Sequence, residues 1–573
     1  GDKCVDLAFV PVNSQSYGFT GRLYITLDGN YAVKKFLLNT PANINLNWVD
    51  KLRIEQEFKR MPDSTWVLAN ENTYVNFYIV KGAQQLYAHQ LRNFDKYQFD
   101  VQNADSIFGL LGTIHELPEA TAQTDTFWIH NRHVPLKEKE SALDDLLAQL
   151  RKVPAFNVII KTAEILITGY IPTTADKDKS KFDFGPMNTT FSANHLEGFR
   201  MRVGGMTTAN LNPHWFGSGY LAYGVNDRKL KYNAKLTYSV NKKKYHEGES
   251  PVNNISAIQE YDVYTPGQDF LFTSKDNMFV AWKVGEPVTM MQYIRKTMLQ
   301  YQKEWLNGLT LTTWARNENN EAAGTLRYDR YDADGTLTNL KSFTNTELGT
   351  QLRFAPGERA YNGREGKNSL FNLSKDAPVF KLSHQMGLKN VLGSDFNYNH
   401  TEISAEKRIW LSSFGHIDAL VTAGKVWDKV PFPLLIMPNT NQSITIQPQA
   451  FNMMRALEFV SDQYVSFYFT YYMKGWILNR IPGVKWLRLR EVISFSGFYG
   501  GLTDKNNPAL DPTGLYRFPE GTSPMGRTPY LEASVGLENI FKILRIDYYR
   551  RLTYLDQPNI KKGGVRIALR FSF

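Results

Sequence analysis

The last ten residues, Gly564-Val565-Arg566-Ile567-Ala568-Leu569-Arg570-Phe571-Ser572-Phe573, constrain the fold of this chain more than any other stretch. Val565, Ile567, Leu569, Phe571 and Phe573 share one parity, and Arg566, Ala568, Arg570 and Ser572 share the other. Successive side chains of a strand point to opposite faces, so one face is apolar and the other cationic or small. Soluble sheets avoid a bare aromatic strand at an edge. A transmembrane β-barrel, by contrast, must end on a strand that closes against the first one. The ending predicts a membrane barrel.

Composition permits this. Hydrophobic residues make up 42% of the 573 positions, and mean hydropathy is −0.38. No apolar run reaches the roughly 18 residues of a membrane helix. Barrel strands escape that test because half their residues face a polar lumen. Aromatics reach 13%, and Tyr and Trp are the residues that girdle barrels at the membrane interfaces. The net charge of +10 comes without zinc spacing, aromatic nucleic-acid motifs or a basic helix. Anionic lipid is therefore the expected counterpart, and nucleic acid is not. The single cysteine, Cys4, excludes an intrachain disulfide and reads as structural. The start at Gly1 reads as a mature form or a fragment.

Residues 1 to about 130 read as a β-domain facing water. Gly21 to Leu27 alternates, Asp28-Gly29 supplies a hairpin turn and Tyr31 to Leu38 returns. Val49 to Phe58, Trp66 to Leu68 and Thr73 to Val80 continue the meander. From Ser141 to Lys152, Leu143, Leu146, Leu147 and Leu150 recur at helical spacing until Pro154. Lys161 to Tyr170 is read as the first of a series of long alternating strands. Leu230 to Val240, Thr346 to Phe354, Ile403 to Leu411, Val465 to Met473, Leu531 to Glu538 and Leu544 to Arg551 follow. Met290 to Leu306 fits strand or helix. Connections after Pro172 and at Tyr245–Asn253, Thr265–Val288, Arg316–Thr325, Pro356–Asp376 and Asp428–Arg455 read as outward or lumen-entering loops. The expected architecture is all-β: a periplasmic β-rich domain (1–138), a helical linker (139–156) and an antiparallel transmembrane barrel of about 16 strands (157–573).

From Pro431 onward the order of features is similar to the BamA/TamA superfamily of outer-membrane assembly and translocation barrels. Met453-Met454-Arg455-Ala456-Leu457-Glu458-Phe459 stands where that superfamily carries a lumen loop ending in Arg-Gly-aromatic. The closing hairpin Tyr530–Leu537 and Ile543–Thr553 matches its last strands. This chain departs from the pattern in having Ala456 after the arginine. It also has no acidic partner in Ser494-Phe495-Ser496-Gly497-Phe498-Tyr499-Gly500, leaving Glu491, Glu532 or Glu538 as substitutes, and it has no POTRA-like repeats. Cys4 to Pro11 and Leu457 to Asp462 resemble an uncharacterised Bacteroidota family in which a carboxypeptidase-regulatory-like domain precedes a barrel. The first domain is also similar in pattern to LolA-like lipoprotein-carrier folds.

These resemblances imply a non-enzymatic outer-membrane barrel that assists insertion or translocation of proteins or lipids. The alternative is a passive channel, or an accessory subunit of a nutrient-uptake or secretion complex. The expected partners are outer-membrane lipid, lipopolysaccharide and periplasmic or barrel proteins. Arg455 is the candidate for fixing the lumen loop to a wall carboxylate by a charge-assisted bond. Glu532, Glu538, Arg545, Asp547, Arg566 and Arg570 form a candidate charge ladder in the lumen. Phe571 and Phe573 are expected, by resemblance, to serve as the insertion signal.

Catalytic, cofactor and metal sites are not expected. His130-Asn131-Arg132-His133 lacks a third ligand, His115-Glu116 lacks the second His of a zincin, and Asp332-Ala333-Asp334-Gly335 reads as a hairpin turn. His195, His214, His246 and His400 are scattered, with no readable carboxylate partner, so a surface enzyme is the minority reading.

Overall fold

Between Tyr530 and Ile540 burial runs opposite to that of a soluble sheet. Val535 is 66% exposed, whereas Glu532 is 1% exposed on the same strand, and Ser534 and Glu538 are buried with it. Apolar side chains outside and charged ones inside are stable only when the outside is hydrocarbon. The same inversion holds at Leu230, Leu236, Leu352, Ile403, Val465, Ile493 and Val565, all exposed. Parity in the sequence thus becomes a belt in space.

The computed structural model describes residues 3–11, 18–41, 46–77, 86–99, 123–132, 169–174, 179–284, 287–358 and 376–570, with isolated positions at 102, 134, 158, 162, 165 and 176. Six strands come first: β1 (Cys4–Phe9), β2 (Thr20–Thr26), β3 (Val33–Asn39), β4 (Val49–Arg60), β5 (Trp66–Phe77) and β6 (Leu86–Asn93). They form one antiparallel meander in chain order. The Asp28 carboxylate accepts the Thr26 hydroxyl at 2.8 Å and the Asn30 N–H at 3.1 Å, which closes the turn expected there. Trp66–Leu68 and Thr73–Phe77 belong to the single strand β5, and the rest of the second piece, 78–80, lies outside the described residues.

The barrel opens with short strands β7 (Ile171–Pro172), β8 (Phe182–Phe184) and β9 (Phe191–Asn194). It continues as β10 (Gly198–Thr207), β11 (Trp215–Gly224), β12 (Leu230–Ser239), β13 (Asn253–Tyr264), β14 (Met290–Glu304) and β15 (Leu309–Gly324). A hairpin, β16 (Tyr328–Tyr331) and β17 (Leu337–Leu340), stands apart from the wall. The wall resumes as β18 (Ser342–Phe354), β19 (Val379–Gly387), β20 (Tyr398–Trp410) and β21 (His416–Val426). A long loop then leads through β22 (Phe459–Val460) to β23 (Gln463–Tyr472) and β24 (Arg490–Gly501). Strand β25 (Ser523–Pro524) pairs in parallel with β22. Strands β26 (Tyr530–Ile540), β27 (Leu544–Arg551) and β28 (Gly563–Leu569) complete the wall.

Each long wall strand pairs antiparallel with the next, and the sheet closes with β28 beside β7. Strands β8 and β9 both pair with β10, at opposite ends of it, so together they fill one position. The result is a transmembrane antiparallel barrel of about 16 strand positions preceded by a β-rich domain.

Several expectations change. Val158, Thr162 and Ile165 are helical, and the Gly169 N–H bonds to the Ile165 carbonyl at 2.8 Å. The barrel therefore does not open with a strand at Lys161–Tyr170. The apolar residues there recur at helical spacing as well as by alternation, and short runs do not separate the two. Arg316–Gly324 is not a loop but lies in β15, where Arg316, Glu318 and Asn320 face the polar lumen while Asn317 and Glu321, on the other parity, bond to Leu392 and Lys229 of neighbouring connections. Met290–Glu304 is a strand. The helix expected over Ser141–Lys152 lies outside the described residues.

Alternation of direction places connections 240–252, 305–308, 355–378, 411–415, 473–489 and 541–543 at one end. The long ones at 265–289, 427–462 and 502–529 are at the other. The six-stranded sheet sits at the first end. The Arg488 guanidinium donates to the Leu46 carbonyl at 2.9 Å, the Asn47 amide meets Asn539 Oδ1 at 2.6 Å, and Lys542 lies over the Trp48 ring. Tyr245–Asn253 and the described ends of the second connection, 356–358 and 376, are thus on the side of that sheet, not outward of it.

Candidate functional site

The connection 427–462 is long enough to leave the rim and turn into the barrel. Phe451, Met454 and Phe459 from it pack with Phe498 of β24 and Tyr530 of β26 in one buried cluster. Nearer the loop end, Phe432, Leu435, Leu457 and Val460 pack against Tyr328, Phe343 and Tyr398. A loop that buries this many large apolar side chains inside a polar wall is a fixed filling.

Three wall residues hold it. Glu532 accepts the backbone N–H groups of Asn452 (2.8 Å) and Met453 (3.0 Å), and the Tyr530 hydroxyl at 2.9 Å. Arg566 donates to the Asn452 carbonyl at 2.5 Å. Arg551 makes a two-pronged ion pair with Glu458, at 2.7 and 3.0 Å, with both side chains almost wholly buried. The polarity is the reverse of the expected one, since the loop supplies the carboxylate and the wall the guanidinium. Arg455 instead donates its backbone N–H to Glu458 at 3.0 Å and lays its guanidinium against Gly521. Glu458 was visible beside Arg455 in the sequence, but its partner lies 93 residues away.

The six residues read as one ladder form two groups. Glu532 and Arg566 grip the loop. Toward the end carrying the six-stranded sheet, Arg545 pairs with Asp547 (Nε–Oδ1 2.8 Å) and Arg570 with Glu538 (3.2 Å), both beside Tyr472. Phe571 and Phe573 lie outside the described residues.

A second grip was not read from the sequence. Arg200 of β10 makes a bidentate pair with Asp262 of β13 (2.7 and 2.9 Å) and reaches Glu197 (2.9 Å) and Asp276 (3.1 Å). Lys231 and Lys275 complete the buried cluster. Asp276 belongs to connection 265–289, which is thereby tied to the wall. The alternation of Arg200 and Arg202 with Phe199, Met201 and Val203 was the available signal.

The two tied loops meet at the edge of the closing strand. Ile567 of β28 donates its N–H to the Ile444 carbonyl (2.9 Å) and accepts the Ile446 N–H (2.8 Å), a parallel bridge opposite Thr445. Ile444 and Gln442 bond in turn to Trp282 and Val284 of the other loop. Met278 then donates to the Asn188 carbonyl, between β8 and β9, at 3.0 Å. Segments from two loops thus span the place where the wall strands are short among the described residues. Strands there have 7 (β28), 3 (β8) and 4 residues (β9), against 15 and 16 in β14 and β15.

Between the loop and the opposite wall, β14 to β23, lies a polar cavity of about 570 Å³ bordered by Arg316, Glu318, Glu347, Lys381, Glu402 and Glu406. Of the scattered histidines, His400 lines this cavity with Glu347 and Glu402, and His246 lies in connection 240–252. His214 bonds the Ser239 carbonyl at the end of the six-stranded sheet, and His195 lies at the opposite end. His130 bonds the Thr126 carbonyl within the helix Asp125–Asn131, while His115, Glu116 and His133 lie outside the described residues. Asp332 and Asp334 turn the β16–β17 hairpin, as read. Hydroxyls of Thr338 and Thr336 hold their carboxyls below the usual range, and Arg330 adds to the effect at Asp332. No group of three or more metal-binding side chains occurs among the described residues.

No curated protein matches this chain. Among solved structures, BamA from Haemophilus ducreyi lacking POTRA domains 1-3 is similar at 9% identity over 72% of this chain and 78% of that one, with a TM-score of 0.42. CdiB from Acinetobacter baumannii is similar at 12% identity over 66% of this chain and 57% of that one, with a TM-score of 0.32. A family model described as the C-terminal domain of a family of unknown function (DUF5686) matches residues 163–506. A wall that begins after Gly169 and a lumen loop gripped by its closing strands are thus features of a member of DUF5686, the family to which this chain belongs.

Proposed function

We propose that this protein is a non-enzymatic barrel of the outer membrane that assists insertion or translocation of proteins or lipids at its seam. Its first domain (1–138) stands in the periplasm, and residues 139–156 lead toward the barrel, whose wall begins after Gly169. The observation that carries this reading is the bonding of Ile567. At mid-strand, the outer edge of β28 is satisfied by Ile444 and Ile446 of a loop. Such a pairing can be exchanged without breaking the wall ladder between β27 and β28. The short strands flanking it lower the cost of parting the wall there. The loops filling the lumen leave the seam as the freer route.

Cysteines at Thr445 and Ile567, in a Cys4→Ser background, lock the loop to β28. The expected result is loss of complementation of a deletion strain's outer-membrane defect, restored by reductant. Full complementation by the oxidised protein overturns the seam reading.

The polar cavity beside the loop favours a second reading, a passive channel or a subunit of an uptake or secretion complex. Steady conductance of the purified protein in planar bilayers supports it, and silence counts against it.

A further inference from the structure

The connection between β23 and β24 (473–489) is longer than a turn requires. It holds four basic residues, Lys474, Arg480, Lys485 and Arg488, and no acidic one. It folds into two short 3-10 turns, Leu478–Arg480 and Val484–Leu487. Its position is fixed by Glu491, which shares the outward parity of Ile493 and Phe495 on β24. A carboxylate facing hydrocarbon is costly, yet Glu491 accepts the N–H of Ile477 at 3.1 Å and that of Leu478, and is buried beneath them. Trp476 meets Phe414, in the neighbouring β20–β21 turn, edge to face at 5.0 Å. The connection is therefore folded back over the outer surface of the barrel, at the rim that carries the six-stranded sheet.

What it turns outward is apolar and cationic. Ile477, Ile481, Trp486 and Leu487 are exposed, Trp486 by 73%. Arg480 stands 5.7 Å from the Trp476 ring and Lys485 5.8 Å from the Trp486 ring. Tryptophan and basic side chains together suit the depth where acyl chains meet headgroups. We propose that this connection is an interfacial anchor that binds anionic phospholipid headgroups in the leaflet facing the six-stranded sheet. It fixes the depth of that rim and, through the Arg488 bond to the Leu46 carbonyl, the seat of the sheet against the membrane. The anchor does not depend on what the seam does.

The test uses the whole chain in nanodiscs of phosphatidylcholine mixed with phosphatidylglycerol. The lipid retained by the protein after mild detergent extraction is quantified by mass spectrometry. The wild type is expected to enrich phosphatidylglycerol, and R480E/K485E to lower that enrichment on the order of tenfold or more, since each basic residue near an anionic surface is worth about fivefold. K389E, an exposed lysine at the opposite rim, is expected to change nothing. A heat-dependent gel shift reports folding, and R480Q/K485Q serves if the reversed variant fails it. Equal enrichment in wild type and variant, no enrichment in the wild type, or an equal loss in K389E each overturns the proposal.

Discussion

Replacing Glu458 by Gln tests whether the lumen loop is a fixed filling. The side chains of Arg551 and Glu458 are 0% and 2% exposed, and the guanidinium gives two of its bonds to this carboxylate. Neutralising one member of a buried pair leaves an uncompensated charge, which costs about 3–5 kcal/mol. Arg551 keeps its bond to the Thr553 carbonyl and its place beside the Tyr530 ring, so the lower part of that range applies. About 3 kcal/mol shifts the docked-to-released ratio of the loop by roughly two orders of magnitude. The barrel stays folded, because the β26–β27 and β27–β28 ladders are untouched. A cysteine at Ala456 in a Cys4→Ser background reads the release as faster maleimide labelling. Removing the charge on both sides, with E458L/R551M, is expected to return labelling most of the way to wild type. Equal labelling of E458Q and its parent refutes the idea that this pair holds the loop. Faster labelling still in the double variant shows that the residues act independently.

Three further outcomes follow from the geometry. Val535→Arg places a charge in the belt and is expected to cost about 2–4 kcal/mol in urea unfolding from vesicles; an unchanged midpoint removes Val535 from the lipid-facing surface. Ile446→Pro deletes the N–H given to the Ile567 carbonyl, and should raise proteolysis at the 443–447 segment while the heat-dependent gel shift persists; unaltered cleavage counts against the exchangeable bridge. Asn47→Ala removes the amide bond to Asn539 and is expected to loosen the six-stranded sheet by about 1 kcal/mol, read as faster protease release of that domain; identical release kinetics place its seat elsewhere.

How far the sequence could be read depended on the range of each signal. Leu230–Val240 and Thr346–Phe354 were legible because alternation relates a residue only to its neighbours two positions away, and lipid outside with polar lumen inside imposes it along the whole strand. Lys161–Tyr170 was misread because the mix of apolar and polar residues there fits both periods. Arg316–Gly324 reads as a loop because Glu318 and Asn320 face the lumen and Asn317 and Glu321 meet rim connections, so both parities of the strand are polar there. Arg455 was singled out by resemblance, and the structure gives the ionic contact to Glu458.

Parity along the chain is enough to specify a barrel and the direction in which its strands face. Parity, and the inverted burial that parity demands in a membrane, are local properties. What Gly563–Leu569 touches follows only from the folded arrangement. That Arg551 meets Glu458, that Glu532 caps the amides of Asn452 and Met453, and that Ile567 bonds to Ile444 and Ile446 all depend on the path of one loop through the lumen. That path is set by burial of Phe451, Met454 and Phe459 among side chains distant in sequence, and no local period encodes it.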